Sequence, residues 1–348
     1  MSYWAVASLA LITALVLLLP FSVKRVEEEL EVFLLLMGCA AMTVSGLWSW
    51  HIVKESLLEP LKISLAVLIA GYLFRSGRGR IEGFIERLEG RIGVKHSLFV
   101  LIVALAFLSS LLTAIIAALV LCEILYHLRL DRPSRVRTAV YACYAIGLGA
   151  ALTPLGEPLS TIVTSRLQGP PHNAGFFWLA ELLWLWVTPA ILAVAALAAY
   201  WRPLGRADAA GQGGDLPPET HKELFLRASK VYVFVAALVY LGEGLSPVAE
   251  KLIPALKGWQ LYWLGLTSAA LDNATLAAAG IVPSMSRQQI LSFTLSLLVS
   301  GGVLIPGNIP NIISAAKLGI KSREWAGAAL PVGAALLLVY FLALGIIY

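Results

Sequence analysis

Residues 97–128 read SLFVLIVALAFLSSLLTAIIAALVLCEILYHL, an apolar run whose one formal charge is Glu123. Arg91 and Lys95 stand just before it, and Arg129, Arg132, Arg135 and Arg137 just after. A single crossing of a bilayer would strand one of these basic clusters on the outer face, against the cytoplasmic excess of Lys and Arg. Both ends therefore belong on one side, and the stretch is read as a re-entrant helical hairpin. Ser109, Ser110 and Thr113 near its middle supply polar content for a tip.

The rest of the chain fits that environment. Of 348 residues, 59% are hydrophobic and 14% charged, against about 25% charged in a soluble protein. Apolar spans fall at 3–22, 32–50, 57–74, 175–200, 229–246 and 326–348, each near the roughly 20 residues a membrane helix needs. Proline and glycine interrupt two more, 136–167 and 288–316, and a further apolar segment, 259–284, has polar residues at its middle. If 97–128 and 259–284 each enter and leave on one side, twenty of the 26 Lys and Arg share the cytoplasmic face. That placement argues for a multi-pass protein of the cell (inner, cytoplasmic) membrane with both termini outside. It also argues against nucleic acid as the reason for the net charge of +5. No basic region precedes the first span, so it is expected to be retained rather than cleaved.

The expected fold is all-α and polytopic, with inverted-topology repeats, two re-entrant hairpins and two broken transmembrane helices. Residues 1–56 give two extra helices. A first repeat covers 57–201, with a cytoplasmic-side hairpin (97–128) and a broken helix (136–167). Residues 202–228, rich in Gly, Pro and charge, form a cytoplasmic linker. A second repeat covers 229–348, with an outer-side hairpin (259–284) and a broken helix (288–316). Arg78–Gly93 and Pro247–Gly258 carry apolar residues at helical spacing and are expected to lie in the interface as separate short helices.

The repeat is read from two matches. Ser109 and Thr113 align with Ser268 and Asp272. Pro154-Leu-Gly-Glu157-Pro158 aligns with Pro306-Gly-Asn308-Ile-Pro310, and Arg166 or Lys317 follows. Proline removes a backbone donor and clashes with the preceding turn, and unpaired backbone groups in hydrocarbon are costly. The breaks must therefore face protein or a cavity, with Ser160, Thr161 or Asn311 as caps of the helices that follow. An intramembrane carboxylate is expensive and by default functional. Glu157, with Arg166 as an alternative partner, and Asp272 are therefore the leading candidates. Glu123, Glu181 and Glu243 sit near span ends and are read as solvated, as is the run Glu27, Glu28 and Glu29. The five histidines and three cysteines show no metal-ligand spacing. Phosphate-binding, metalloprotease and nucleophile-elbow motifs are absent, so no enzyme activity is expected.

At these residues the chain resembles the ion transporter superfamily. The resemblance rests on Ser268-Ala-Ala-Leu-Asp272-Asn273, Thr153-Pro154-Leu-Gly156-Glu157-Pro158 and Gly301-Gly-Val-Leu-Ile-Pro306-Gly-Asn308-Ile-Pro310-Asn311, and spans 57–348. The chain looks closest to a small branch of predicted cation transporters related to D-type sodium/proton antiporters. The resemblance implies a homodimer in lipid, elevator-type alternating access, and one ion or substrate site lined by Ser109, Ser110, Thr113, Thr153, Glu157, Ser268, Asp272, Asn273, Asn308 and Asn311. Thr113 departs from the polar pair that many relatives carry there.

The expected function is secondary transport of a small ion. Competition between a proton and sodium, or another monovalent cation, for one desolvated carboxylate is sufficient for antiport. No cofactor beyond those coupling ions is expected. A sodium-coupled symporter of dicarboxylate or oxyanion is the alternative, since helix N-termini attract anions. A channel or regulatory membrane subunit is the third reading.

Overall fold

The computed structural model describes residues 3–347 apart from 24, 27–28, 129, 206–220 and 253–255. All regular elements among the described residues are helical. They are α1 (Tyr3–Ser22), α2 (Leu30–Ser45), α3 (Trp50–Ile92), α4 (Val94–Leu112), α5 (Ala114–His127), α6 (Arg132–Ala150) and α7 (Pro158–Arg166). There follow α8 (Trp178–Tyr200), α9 (His221–Leu252), α10 (Gly258–Leu264), α11 (Asn273–Gly280), α12 (Arg287–Gly301), α13 (Ile309–Leu318) and α14 (Ser322–Ile347). Two 3-10 turns, Gly265–Ala269 and Ile305–Gly307, lie within the second half. Segments Val94–Leu112, Trp178–Tyr200, Ala228–Val248 and Ser322–Ile346 are long and apolar enough to cross a membrane. The chain is all-helical with the composition of a membrane protein.

The helices sort into two groups by what they pack against. In the first, α9 lies along α2 and α3, and α1 covers α2. Small residues let these backbones approach: a Cβ on Gly38 would sit 2.9 Å from the Ala237 carbonyl, and one on Gly244 would meet Ala41 at 2.6 Å. The second group holds α4 to α8 and α10 to α14. Here α4 packs on α6 and α8, while α12 packs on α10, the 265–269 turn and α14. At Gly149 a Cβ would overlap the Ala106 carbonyl, so α4 and α6 touch backbone to backbone.

Two helical paths stop and restart inside this second group. Between α6 and α7 lie residues 151–157, and between α12 and α13 residues 302–308. In each, the residue before the restart is fully extended, Glu157 at φ −154°, ψ 160° and Asn308 at φ −157°, ψ 161°. In each, the preceding glycine fits tightly against the end of the first helix: Gly156 on the Ala150 carbonyl, Gly307 on that of Gly301. Every one of these pairs is 151 positions apart, as are Arg166 and Lys317.

These positions differ from the pairing expected from the prolines. Pro154 does not correspond to Pro306, nor Pro158 to Pro310. The extended residue sets the restart, and a proline is tolerated at either of the first two helical positions, where no intrahelical donor is needed. Glu157 and Asn308 therefore take like places before their helices, one position from the pairing expected from the prolines.

Other boundaries also differ. The expected span 57–74 and interfacial helix 78–93 are one 43-residue helix, α3. Isolated glycines such as Gly77 and Gly79 cost about 1 kcal/mol each in a helix, too little to end one among good helix formers. At 1.5 Å per residue α3 is about 64 Å long, roughly twice the hydrocarbon thickness. Likewise α9 continues through Pro247 to Leu252, so 247–252 is not a separate helix, and 253–255 lie outside the described residues. The expected linker 202–228 is helical from His221; 206–220 lie outside the described residues, as do Glu27 and Glu28 of the acidic run. The span 32–50 ends at Ser45, because Gly46 takes the left-handed φ of 70° that closes the helix.

Two outcomes test this packing. Gly149→Ala should destabilise the protein by about 1–3 kcal/mol, the range for overpacking, read as a lowered Tm in detergent; an unchanged Tm would contradict the α4–α6 approach. Asp131 caps α6, its Oδ1 accepting from Ser134 N at 2.9 Å. Hydrogen bonding from Ser134, aided by Arg137 and Arg135, holds its carboxyl below the ordinary value. A lowered native pKa stabilises above the unfolded value and is lost as pH falls through the native one. Asp131→Ala should therefore cost about 1 kcal/mol at neutral pH, and the gap from the natural protein should shrink on acidification toward pH 3.

Candidate functional site

The site is assembled where the two interruptions meet the tips of two helical pairs. Chain α4 turns into α5 at a single residue, Thr113, whose φ of 82° is rare for a β-branched side chain. Its hydroxyl accepts from Ile116 N at 3.4 Å and caps α5. The next amide, Ala114 N, donates to Gly156 O in the first break at 2.8 Å. Thr153 Oγ1 donates to Ser110 O from the same break. Ser110 Oγ itself donates to Phe107 O at 2.7 Å. Ser109 Oγ lies 2.6 Å from Ala106 O of its own helix and 3.0 Å from Ile146 O of α6, so its one proton is shared between helix and neighbour.

A similar bond occurs in the second half. Ser268 Oγ donates to Leu297 O of α12 at 3.2 Å, and Leu297 lies 151 positions after Ile146. Asp272 stands immediately before α11, as Thr113 stands before α5. Each return helix then packs on the restarted helix of the other half: α5 on α13, and α11 on α7.

The ten sequence candidates separate into two sets at this point. In Ser109, Ser110, Thr153 and Ser268, hydroxyl protons go to backbone carbonyls. Asn308 Oδ1 accepts from Asn311 N at 3.1 Å, so Asn308 is the cap of α13. Asn311, expected as a cap, instead uses Nδ2 to bind Gly301 O at 2.8 Å and Leu304 O at 2.9 Å, bracing the break. Ser160 and Thr161 do not cap α7 either; Ser160 Oγ donates to the Glu157 carbonyl at 2.8 Å and Thr161 Oγ1 to the Pro154 carbonyl at 2.5 Å. The remaining three gather. Glu157, 6% exposed, sits at the start of α7 with no capping bond from its side chain. Both the Asp272 carboxylate and the Asn273 amide are near enough to act on it. Among the described residues Glu157 Oε1, Asn273 Nδ2 and Asn311 Oδ1 have no hydrogen-bond partner. Buried polar atoms of this kind are uncommon and call for a ligand, a proton or a motion to explain them.

Residues 6–347 match the family described as Protein of unknown function (DUF1646). The chain belongs to that family. No curated protein matches it.

Three features of this DUF1646 protein were missed by sequence reasoning. Lys317, 5% exposed on α13, pairs with Glu123 of α5, and Tyr126 OH donates to the Lys317 carbonyl. Glu123 is therefore an ion-pair partner rather than a solvated end. Arg166, proposed as a partner of Glu157, is exposed at the opposite end of α7, about 12–14 Å along the axis. Finally, the hydroxyls of Thr138, Thr164, Thr294 and Ser300 are buried with no hydrogen-bond partner among the described residues. Their only sequence signal is a hydroxyl residue inside an interrupted span.

Two cross-ties close the assembly at its ends. Arg132 makes a two-pronged ion pair with Glu324, both distances 2.7 Å, and donates to Gly319 O. His172 Nε2 lies 3.1 Å from Pro283 O and 2.9 Å from Met285 O, and Arg287 stacks over Trp178. The α13 cap yields a direct check. Asn308→Ala should lower stability by about 1 kcal/mol and Asn308→Asp by little, since both Asn and Asp cap well; equal Tm values for the natural protein and Asn308→Ala would contradict the cap.

Proposed function

We propose that this protein is a secondary active transporter, an antiporter of sodium or another monovalent cation against protons, with its site at Glu157, Asp272 and Asn273. The observation that carries the reading is the meeting of the α7 and α11 N-termini around a buried carboxylate whose Oε1 has no partner among the described residues. Two carboxylates, an amide and the unwound backbone of residues 151–157 offer the oxygen ligands a hard monovalent cation takes. A proton on the same carboxylates competes with it, and that competition is antiport.

The architecture favours the same reading. The matched stitches Ser109–Ile146 and Ser268–Leu297, and the matched breaks, support two repeats. The Lys and Arg distribution gives those repeats opposite orientation, with α4–α5 a re-entrant hairpin from the cytoplasm and α10–α11 one from outside, both termini lying outside. In this reading α1, α2, α3 and α9 form a dimeric scaffold, and the other helices move against it as an elevator. The resemblance to the ion transporter superfamily points the same way.

A sodium-coupled anion symporter is the second reading, favoured by the partial positive charge of the two helix N-termini. Weighing against it, Lys317 is paired with Glu123 and Arg166 lies at the far end of α7.

In proteoliposomes, Asp272→Asn and Glu157→Gln should each reduce pH-gradient-driven sodium or lithium exchange at least tenfold with the protein still folded. Exchange at the natural rate in both variants would remove the carboxylates from the mechanism. Uptake of labelled dicarboxylate or oxyanion that requires a sodium gradient would replace antiport with symport.

A further inference from the structure

We propose that each chain holds a single monovalent-cation site, on the side where α11 meets α7, and that Asn308 is the residue that keeps the equivalent side, where α5 meets α13, from being a second one. The inference rests on the transporter reading above and fixes how many cations that site takes.

The two sides are built on one plan. Glu157 and Asn308 have nearly the same backbone angles, follow glycines wedged against equivalent helix ends, and open equivalent helices. Asp272 and Thr113 each stand one residue before the return helix that packs there. What differs is the chemistry placed on that plan. On the α5–α13 side both side chains serve their own helices: Asn308 Oδ1 takes the Asn311 amide, and Thr113 Oγ1 takes the Ile116 amide. An oxygen already holding a backbone N–H is a poor cation ligand, and neither side chain carries charge. On that side Lys317 is paired with Glu123.

On the α11–α7 side the same two positions are carboxylates. Glu157 makes no capping bond despite its cap position. Its Oε1 is unpartnered among the described residues on a side chain 6% exposed, and the Asn273 amide, 3% exposed, lies beside it. Glu157 is buried, Asp272 is half-buried and acts on it, and a cation held between them would relieve their repulsion. A divalent ion such as calcium takes six or more oxygens, usually several of them carboxylate. Among the described residues no group of three or more His, Cys, Asp or Glu could hold such an ion. Two acids and an amide suit one singly charged ion.

The test is equilibrium binding of radiolabelled sodium to the purified full-length protein in detergent, at alkaline pH, with chain concentration determined independently. The natural protein should bind one sodium per chain, and Glu157→Gln should bind none while keeping its Tm within a few degrees. Asn308→Asp, isosteric, with one carboxylate oxygen for the cap and a second to spare for a cation, should raise the total above one. Thr113→Asp with Asn308→Asp should raise it to two. If the double variant fails to fold, Asn308→Asp alone decides. Two sodium ions per natural chain would overturn the single-site inference and leave the antiporter reading standing. A folded Asn308→Asp that still binds only one would overturn the role given to Asn308. No sodium, lithium or potassium bound by the natural protein would overturn both this inference and the cation-transport reading.

Discussion

Backbone polar groups cannot be left unpaired where water is scarce, and the arrangement of this protein follows from meeting that requirement at two interrupted helices. Residues 151–157 and 302–308 release amides and carbonyls in the middle of a closely packed helical group. Those groups are recovered locally: Ala114 N reaches Gly156 O, Thr153 reaches Ser110 O, and Asn311 holds both Gly301 O and Leu304 O. Because the partners come from helical tips and from the breaks themselves, tip and break are fixed to each other. An alanine at Gly156 or Gly307 would strike a carbonyl, so the fit also depends on having no side chain there.

Once the scaffold of the site is self-satisfied, the polar atoms left over become informative. Most hydroxyls named as candidates spend their protons on carbonyls, and Asn308 spends its oxygen on a cap. Glu157 and Asn273 do not. Burying a carboxylate without full compensation costs stability, and such a cost is commonly retained where the group has work to do. The transporter proposal assigns that work to Glu157 and Asp272, and the ion pairs at Lys317 and Arg132 to holding the two halves together.

Much of the site could be read from the chain because its signals are local. Proline and glycine within apolar runs marked both interruptions, and the acids at 157 and 272 stood out against hydrocarbon-like surroundings. What escaped the sequence was set by backbone geometry or by distant partners. Proline at the first helical position in α7 and the second in α13 displaced the register by one. Lys317 and Glu123 are 194 residues apart, so nothing local announces their pairing. The continuity of α3 through Gly77 and Gly79 depends on small propensity costs that no motif encodes.

The central claim is that Glu157 and Asn273, from opposite halves of the chain, face each other in a place shielded from bulk water. Cysteines placed at these two positions, in a background with Cys39, Cys122 and Cys143 replaced by serine or alanine, test it directly in native membranes. The account predicts cross-linking by a short bifunctional reagent and slow labelling of either single cysteine by a charged maleimide. Rapid labelling at position 157, at the rate of an exposed loop cysteine and without any cross-link to 273, would contradict it.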